Sequence, residues 1–409
     1  MSNKEWLERA NKVVANSTFD TNIVFTRAEG VGFFDANGKF YYDFASGPGV
    51  ANIGWNHPKL VAAIRELLEK GESGYGGNEI LNPYWIQLAE KLVELTPGKF
   101  PKRVFPSNSG GEAVEAGIIA CMLKRPERKA ILTFSGDFHG RMGYARTATT
   151  SKSVHFMNLP QGVERAHYLI FPEVSNSDPL SYAAYVTRQI DRFVKDINVA
   201  VIELVQGEGG INVAEKKCIR FLIDYLRNNG VYILVDEVQT GFGRTGKMWV
   251  CEHYGVEPDI MALAKGASGG ISPIGLTVLR EELNFSDSRG HSNTFGGNPL
   301  SSFAALNVLE IIQEEGLVER AKDLGLYLYS CLLRIFSRFP RCGLGLMQRI
   351  VFPTSEYRDR VVAEALKRGL FLMGAGESAI RIMPPLTIRQ EEIDAALNIL
   401  LEAIQAADK

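Results

Sequence analysis

Short, continuous apolar runs alternate along this chain with longer segments in which apolar residues recur every three or four positions. Apolar runs bounded by turn residues are typical of strands buried on both faces, and here they are 130–134, 198–205, 231–235 and 260–264. Helical spacing occurs at 58–70, 84–95, 178–194, 215–229, 300–316, 318–339, 355–368 and 390–406. Strands that alternate with helices predict an α/β fold built on a mostly parallel sheet.

Shorter elements are predicted near both ends of the chain. At 33–42 two aromatic segments flank an Asn-Gly pair, which predicts a β-hairpin whose turn lies at Asn37 and Gly38. A strand-like run at 346–352 precedes the last two predicted helices. We therefore expect a smaller α/β unit beside the main sheet.

Charge and composition exclude several classes of protein. The 409 residues include 45 Lys and Arg against 47 Asp and Glu, so a nucleic acid or an anionic membrane is not expected as a partner. No apolar run approaches the ~20 residues that cross a bilayer, and the charged N-terminus does not match a signal peptide. Five widely spaced cysteines without a CxxC pair indicate reduced thiols in the cytoplasm and no metal site.

Two of the apolar runs end on side chains of opposite charge. Asp236 follows the run at 231–235, and Lys265 follows the run at 260–264. The carboxyl ends of parallel strands form the edge of the sheet at which ligands bind. One explanation is an ordinary ion pair. The other is pyridoxal phosphate, because this cofactor requires a lysine that attaches to its aldehyde and a carboxylate that keeps its pyridine nitrogen protonated.

The segment VDEVQTGFGRTG, with Lys265 downstream, resembles the class III aminotransferases of fold type I, which depend on pyridoxal phosphate. The resemblance covers nearly the whole chain. It implies that Lys265 holds the cofactor and transfers protons, and that Asp236 pairs with the pyridine nitrogen. It also implies a large domain at 58–300, with a mostly parallel seven-stranded sheet flanked by helices, and a small α/β domain formed by 1–57 and 301–409.

A phosphate site is expected where the segment SNSGGEA begins a helix. Serine and glycine at a helix start leave free backbone N–H groups beside the positive end of the helix dipole. By itself this pattern is more typical of an ordinary helix cap. The resemblance assigns the cofactor's phosphate to Ser109, Gly110 and Gly111.

The same resemblance places several side chains around the cofactor ring. Phe138, in the segment DFHGR, is expected to stack on one face of the ring, and Val238 is expected to pack under the other. Gln239 is expected near the ring oxygen. Glu203, in IELVQGEGG, is expected behind Asp236 rather than against the cofactor. Core packing or solvated carboxylates are the alternative explanations for such residues.

Two arginines are expected to bind substrate carboxylates, because guanidinium matches a carboxylate through paired, planar hydrogen bonds. They are Arg141 after the DFHG segment and Arg381 in the segment IRIMPPL. The resemblance makes Glu208 the residue that pairs with Arg381 when a substrate presents no α-carboxylate. Pro48, in the loop 43–58, is expected to form one wall of the substrate pocket.

Two further expectations concern loops. Asn78 and Glu79 lie where related enzymes approach the substrate. The segment HSNTFGGNP resembles the family's HxxTFxGNP, in which the threonine, here Thr294, reaches the phosphate in the neighbouring subunit. The resemblance thus implies a homodimer whose active sites are completed across a two-fold interface.

The expected reaction moves an amino group from an ω-amino acid, such as 4-aminobutyrate, ornithine or acetylornithine, to a 2-oxo acid, with 2-oxoglutarate preferred, in a ping-pong cycle. Pro273 lies eight residues after Lys265, as in the ω-amino acid:pyruvate branch, so pyruvate stays open as the acceptor. A racemase of the same fold and a non-catalytic binding homologue are the remaining alternatives.

Overall fold

Helices and strands account for most of the chain in the computed structural model, which describes residues 1–15, 21–77, 79–156, 166–287 and 290–409. Within these residues the helices are α1 Asn3–Val13, α2 Ser46–Gly49, α3 Pro58–Glu69, α4 Pro83–Leu95, α5 Gly110–Lys124, α6 Gly143–Ala148, α7 Ser153–Phe156, α8 Pro179–Ile190, α9 Lys216–Asn228, α10 Cys251–Tyr254, α11 Pro299–Glu314, α12 Leu317–Ile335, α13 Ser355–Lys367 and α14 Gln390–Ala407. The strands are β1 Phe25–Glu29, β2 Gly32–Asp35, β3 Phe40–Asp43, β4 Lys102–Ser107, β5 Ala130–Phe134, β6 His167–Leu169, β7 Ile197–Ile202, β8 Val205–Gln206, β9 Asn212–Val213, β10 Tyr232–Asp236, β11 Ile260–Leu263, β12 Gly275–Arg280, β13 Arg341–Leu344, β14 Met347–Val351, β15 Leu370–Phe371, β16 Met373–Ala375 and β17 Ala379–Ile382. Asn78 lies outside the described residues.

The largest sheet has seven strands in the order β4-β12-β11-β10-β7-β5-β6. Neighbouring strands from β11 to β6 are parallel, whereas β12 runs antiparallel to both β11 and β4. Every residue of β7, β10 and β11 is buried, which explains why these strands are mostly apolar. The expected α/β fold with a mostly parallel sheet is confirmed.

Helices cover both faces of this sheet. Alternate residues of β10 point to opposite sides, so that Leu234 packs in one cluster with Val114 of α5, and Ile233 packs in another with Leu222 of α9. The sheet is therefore the middle layer of three. Its carboxyl edge, where β4, β5, β7, β10 and β11 all end, is left open between the helices.

One predicted strand differs from the observed structure, and one observed strand was not predicted. The run at 198–205 is not one strand, because β7 ends at Ile202 and the chain turns before β8, which pairs with β9 in a short hairpin. The turn brings Glu203 to the edge of the main sheet. The second difference is β12, which was not predicted because its segment follows a glycine-rich loop.

Two smaller sheets form from the ends of the chain. The predicted hairpin is confirmed as β2 and β3, and β15 extends its sheet by pairing in parallel with β3. The other sheet has the order β13-β14-β17-β16 and is antiparallel throughout. These pairings support our proposal that 1–57 and 301–409 form one small domain beside the large domain at 58–300.

None of the helices in the described residues is long and apolar enough to cross a membrane. The five cysteines are free thiols, and four of them are buried. Among the same residues no group of three or more His, Cys, Asp or Glu side chains is arranged so that it could hold a metal ion.

Candidate active site

Five strands deliver side chains to one cavity of about 380 Å³ at the open edge of the main sheet. Ser109 follows β4, Phe138 follows β5, Glu203 follows β7, Asp236 ends β10, and Lys265 follows β11. All five line the cavity. Residues far apart in sequence thus meet because the strands that precede them end at the same edge.

Lys265 lines this cavity and lies on a strained piece of backbone. Its φ is +42°, in the left-handed region that residues other than glycine rarely adopt. Burial lowers the pKa of its amine, and the positive charge of Arg381 acts in the same direction, while Glu208 and Asp236 oppose them. The surroundings therefore favour the neutral amine more than water does.

Asp236 belongs to a buried group of two carboxylates with a histidine between them. Its Oδ2 lies 2.8 Å from Nδ1 of His139, and the Nε2 of the same ring lies 3.4 Å from Oδ2 of Asp137. Burial alone would lower the pKa of His139, but the hydrogen bonds and charges of the two carboxylates outweigh it and raise that pKa to about 10. The ring is therefore a cation at neutral pH, and it fixes the orientation of Asp236.

The carboxyl group of Glu203 accepts hydrogen bonds from the backbone rather than pairing with a cationic side chain. Its two oxygens accept hydrogen bonds from the N–H groups of Phe138 and Gly207, each at 2.9 Å. Burial, reinforced by the charges of Asp137 and Asp236, raises the pKa of Glu203 to about 8. Burial therefore favours the protonated carboxyl more than water does, and the two hydrogen bonds of Glu203 keep the backbone of Phe138 and Gly207 in place.

The start of α5 forms one end of the cavity. Ser109 is the N-cap of α5, and its Oγ accepts a hydrogen bond from Glu112 N at 3.2 Å. The first N–H groups of a helix have no acceptor within the helix, and here they belong to Gly110 and Gly111. A Cβ on Gly110 would lie 2.7 Å from Cγ1 of Val238, so a side chain does not fit at this position.

Phe138 and Val238 lie on the cavity wall together with Gln239. The outer side of the Phe138 ring is covered by His155 in an edge-on contact, with 5.0 Å between ring centroids. Both amide atoms of Gln239 are buried without a hydrogen-bond partner among the described residues. Because an unpaired buried amide is costly, these atoms indicate a polar ligand in the cavity.

An arginine–glutamate pair forms the other end of the site. Nη1 of Arg381 lies 2.8 Å from Oε1 of Glu208, and both groups are largely buried. Burial alone would raise the pKa of Glu208, but the charge of Arg381 outweighs it and lowers that pKa. Glu208 lines the cavity, so a ligand carboxylate could compete with it for Arg381.

Five of the expected site residues do not line this cavity, and they are Arg381, Arg141, Pro48, Thr294 and Glu79. Arg141 is exposed at its rim, with its guanidinium carbon 5.9 Å from the centroid of the Phe138 ring. Pro48 and Thr294 are also exposed. Val50 lines the cavity where Pro48 was expected to do so.

Sequence reasoning missed His139, although the residue lies inside the DFHGR segment. Its charge state depends on Asp137 beside it and on Asp236, which is 97 residues away. No spacing rule connects His139 with Asp236, so only the fold reveals the pair. Glu237, by contrast, turns away from the cavity and accepts hydrogen bonds from the N–H groups of Val250 and Cys251.

Known proteins share both the sequence pattern and the fold. The family model described as aminotransferase class-III matches residues 13–404. An acetylornithine aminotransferase of Archaeoglobus fulgidus is 36% identical, and the match covers 97% of this chain and 100% of that protein. A 4-aminobutyrate aminotransferase of Escherichia coli is 32% identical, with 99% of each chain covered.

A solved structure gives the same result. The (S)-enantioselective omega-transaminase from Thermomicrobium roseum superposes with a TM-score of 0.89 at 28% identity, covering 100% of this chain and 98% of that one. The family match spans nearly the whole chain, and the cavity contains the lysine and the carboxylate that pyridoxal phosphate requires. This chain therefore belongs to the class III aminotransferases and is a pyridoxal-phosphate-dependent enzyme.

Proposed function

We propose that this enzyme moves an amino group from an ω-amino acid of the 4-aminobutyrate, ornithine or acetylornithine type to a 2-oxo acid, with 2-oxoglutarate preferred, in a ping-pong cycle. The observation that carries this proposal is the pair of Arg381 and Glu208, 2.8 Å apart at the cavity. Arg381 can pair either with Glu208 or with a substrate carboxylate. The site therefore suits two kinds of substrate, namely ω-amines, which leave the pair intact, and glutamate or 2-oxoglutarate, whose α-carboxylate replaces Glu208. The names of the acetylornithine and 4-aminobutyrate relatives agree with it.

The residues of the cavity fit pyridoxal phosphate. Lys265 would hold the cofactor through its aldehyde, and Asp236 would pair with its pyridine nitrogen. Ser109, Gly110 and Gly111 would bind the phosphate, because their N–H groups lie at the start of α5. The absence of space for a side chain at Gly110 supports this assignment, since a close approach to the helix start is needed there.

The cavity walls fit the aromatic ring of the cofactor. Phe138 and Val238 would enclose its two faces, and Gln239 would direct its unpaired amide toward the ring oxygen. When bound, the cofactor acts as an electron sink for the bond that is broken next to the substrate's amino group. Glu203 would act from behind, by fixing the backbone of Phe138.

Lys265 would transfer the proton of the reaction. Its neutral amine, favoured by burial, would remove a proton from the carbon that bears the substrate's amino group and would return it nearby. The cation of His139, 2.8 Å from Asp236, would hold that carboxylate in position. Asp236 would then keep the pyridine nitrogen protonated.

Arg381 and Arg141 would distinguish the substrates by their carboxylates. When the donor is an ω-amine, Glu208 would cover Arg381 and the distant carboxylate would bind Arg141 at the rim. When the substrate is glutamate or 2-oxoglutarate, its α-carboxylate would displace Glu208 and take up Arg381. Pro48 would shape the entrance next to Val50.

The active form would be a homodimer. Thr294 is exposed, and its backbone oxygen lies 3.5 Å from the position that a Cβ on Gly77 would occupy, so it belongs to a loop surface outside the cavity of its own chain. In this proposal it reaches the phosphate bound by the neighbouring subunit. Both substrates are small molecules, and no nucleic acid or membrane takes part.

One observation favours pyruvate as an alternative acceptor. Ile271, Ser272 and Pro273 line the cavity, and the spacing from Lys265 to Pro273 is that of the ω-amino acid:pyruvate branch. Ser272 Oγ lies 2.6 Å from Ser301 Oγ at the start of α11, which fixes this loop at the wall. A cavity that is narrowed by this loop would favour pyruvate as the acceptor, because pyruvate is smaller than 2-oxoglutarate.

Half-reactions on the purified, substrate-free enzyme test the proposal. We expect 4-aminobutyrate, ornithine or acetylornithine, and also glutamate, to bleach the visible absorption band of the bound cofactor when no acceptor is present. Bleaching by alanine but not by glutamate would replace 2-oxoglutarate with pyruvate. If none of these amines bleaches the absorption band of the bound cofactor, the proposed substrate class is wrong.

A further inference from the structure

Two buried arginines lie side by side on the small sheet. Arg349 of β14 and Arg381 of β17 are direct partners across the two antiparallel strands, and both are buried. Side chains opposite one another on such strands point to the same face, with Cβ atoms roughly 5 Å apart. Because a buried cation needs a partner, each arginine has its own carboxylate: Glu208 for Arg381 and Glu173 for Arg349.

Arg349 also binds the hairpin that carries Glu208. Its Nη1 donates hydrogen bonds to the backbone oxygen of Gly210, at 3.2 Å, and to the side chain of Asn212. Both residues belong to the turn and second strand of the β8–β9 hairpin. A charged guanidinium with several acceptors in fixed positions makes a strong and directional contact.

Other contacts fix the backbone of the same hairpin. The N–H of Gly376 donates to the backbone oxygen of Glu208 at 2.8 Å. Asn212 donates to Oε1 of Gln206 at 2.7 Å, and Gln206 donates to Oδ1 of Asp137 at 2.8 Å. The side chain of Glu208 therefore projects from a backbone that is held on several sides, and Arg349 supplies the charged contact.

The two arginine–carboxylate pairs differ in their access to the cavity. Glu208 lines the cavity, so a substrate carboxylate can replace it on Arg381. Glu173 is not among the residues that line it, and it is held by an antiparallel bridge to Ala214 next to β9. One pair can exchange during the reaction, whereas the other stays in place.

We propose that Arg349 is a positioning residue that fixes the Glu208 hairpin, so that Glu208 leaves Arg381 and returns to it by a movement of its side chain alone. The inference rests on the proposed function, in which Glu208 and a substrate carboxylate alternate on Arg381. Without Arg349 the hairpin loosens, and Glu208 covers Arg381 less well. An ω-amine substrate then binds beside Arg381 while the buried charge of this arginine is uncovered, which disfavours binding. A substrate α-carboxylate competes with a Glu208 that is held less firmly on Arg381, so its binding is disfavoured less.

The test compares two half-reactions in Arg349→Met, which keeps an unbranched apolar stem and removes the charged guanidinium. We expect kcat/KM for 4-aminobutyrate to fall relative to kcat/KM for glutamate, with a change of about tenfold in the ratio, as for residues coupled in one network. Arg349→Lys keeps the charge without the fork and should restore part of the ratio. Equal losses for both substrates would overturn the proposal.

A second measurement does not depend on activity. Amide hydrogen exchange of residues 205–213 in the holoenzyme should become faster in Arg349→Met and stay unchanged in Arg103→Met, whose ion pair with Glu281 is exposed on β4. Unchanged exchange in Arg349→Met would also overturn the proposal. If the wild-type enzyme reacts with neither amine, the proposed function fails, and the exchange rates still decide the role of Arg349.

Discussion

The charge that each buried side chain carries decides its part in the site. His139 is surrounded by acceptors, with Asp236 at one ring nitrogen and Asp137 and the hydroxyl of Thr133 at the other. A neutral ring could donate only one of these hydrogen bonds, whereas the cation donates two. The protonated ring of His139 therefore satisfies the acceptors at both of its nitrogens. Folding thus stabilises the protonated form relative to the neutral form.

A dependence of stability on pH follows from His139. Its pKa is about 10 in the folded chain and about 6.5 when unfolded. The native state binds the extra proton between these values, so the stabilisation is complete below pH ~6.5 and is lost as the pH rises toward 10. We expect His139→Gln to reduce this fall in stability, measured as the urea midpoint of the cofactor-free chain at several pH values.

His253 provides the matched control for that measurement. It is partly buried, and burial lowers its pKa, so it is neutral in both states above pH ~7. His253→Gln should therefore leave the slope between pH 7 and 10 as it is in the wild type. If His139→Gln also leaves that slope unchanged, His139 is not protonated in the native chain.

At the same scale, the sequence predicts the residues that stand at the ends of strands better than those that act through contacts. Lys265 and Asp236 follow apolar runs, and the structure places both at the cavity as expected. His139 and Arg349 gain their roles from partners that are distant in sequence. Nothing in the local pattern around either residue indicates those partners.

Helix α5 illustrates how an element is fitted to the sheet below it. Gly117 lies where α5 crosses β10, and a Cβ there would be 2.6 Å from Cδ1 of Leu234. Gly110 meets Val238 in the same way at the helix start. The two glycines let the helix approach the sheet closely and set the position of its first turn at the cavity.

Neighbouring glycines at the start of α5 should respond differently to alanine. In Gly110→Ala the new Cβ would lie 2.7 Å from Val238, which should displace the helix start and weaken cofactor binding by about tenfold or more. In Gly111→Ala the nearest atom is 3.6 Å away, so the cofactor-free chain should keep its stability or gain a few tenths of a kcal/mol. Cofactor titration and urea unfolding measure the two effects.

The test depends on the difference between the effects of Gly110→Ala and Gly111→Ala. Equal cofactor affinities for the wild type and Gly110→Ala would contradict the assignment of the helix start to the phosphate. Loss of stability in Gly111→Ala of the size caused by Gly110→Ala would indicate that the contact distances do not control the outcome.

Among the elements, those with long apolar or helical patterns were predicted to within a few residues, as β5, β10 and α13 demonstrate. The short strands β13, β15 and β16 were not predicted, because a few residues carry too little periodicity. The strand β12 was not predicted either, and its direction is set by its antiparallel pairing with β11 and β4. Tertiary pairing decides such cases.

At the scale of the whole molecule, several large apolar side chains are exposed on the loops near Thr294. Phe295 is 61% exposed next to Thr294, and Ile80 and Leu81 are 61% and 64% exposed. Tyr75 contacts Phe295, which connects the loops that carry these side chains. Contiguous exposed apolar residues are typical of protein interfaces, and this supports the proposed homodimer.

Mixed dimers test whether Thr294 acts on the neighbouring site. We expect Lys265→Ala and Thr294→Ala homodimers each to be impaired. A heterodimer would regain one complete site, with Lys265 from one subunit and Thr294 from the other. Mixing and reassembling equal amounts should then restore about a quarter of the wild-type activity, because about half of the dimers are mixed and each has one complete site.

The opposite outcome is equally clear. If Thr294 acts within its own chain, neither site of a heterodimer is complete, and mixing restores nothing. Mixing Lys265→Ala with Asp236→Ala is the matched control, because both residues belong to the same cavity of one chain and should not complement.

The pairing of β3 with β15 has a consequence for folding during synthesis of the protein. Tyr42 and its partner Leu370 are separated by most of the chain, and a ribosome that adds ~5–20 residues per second needs on the order of tens of seconds to make that stretch. Throughout this time β3 has an open edge on the nascent chain, which invites pairing with other chains. The N-terminal hairpin is therefore the segment for which a chaperone, or slow translation, would matter longest during synthesis.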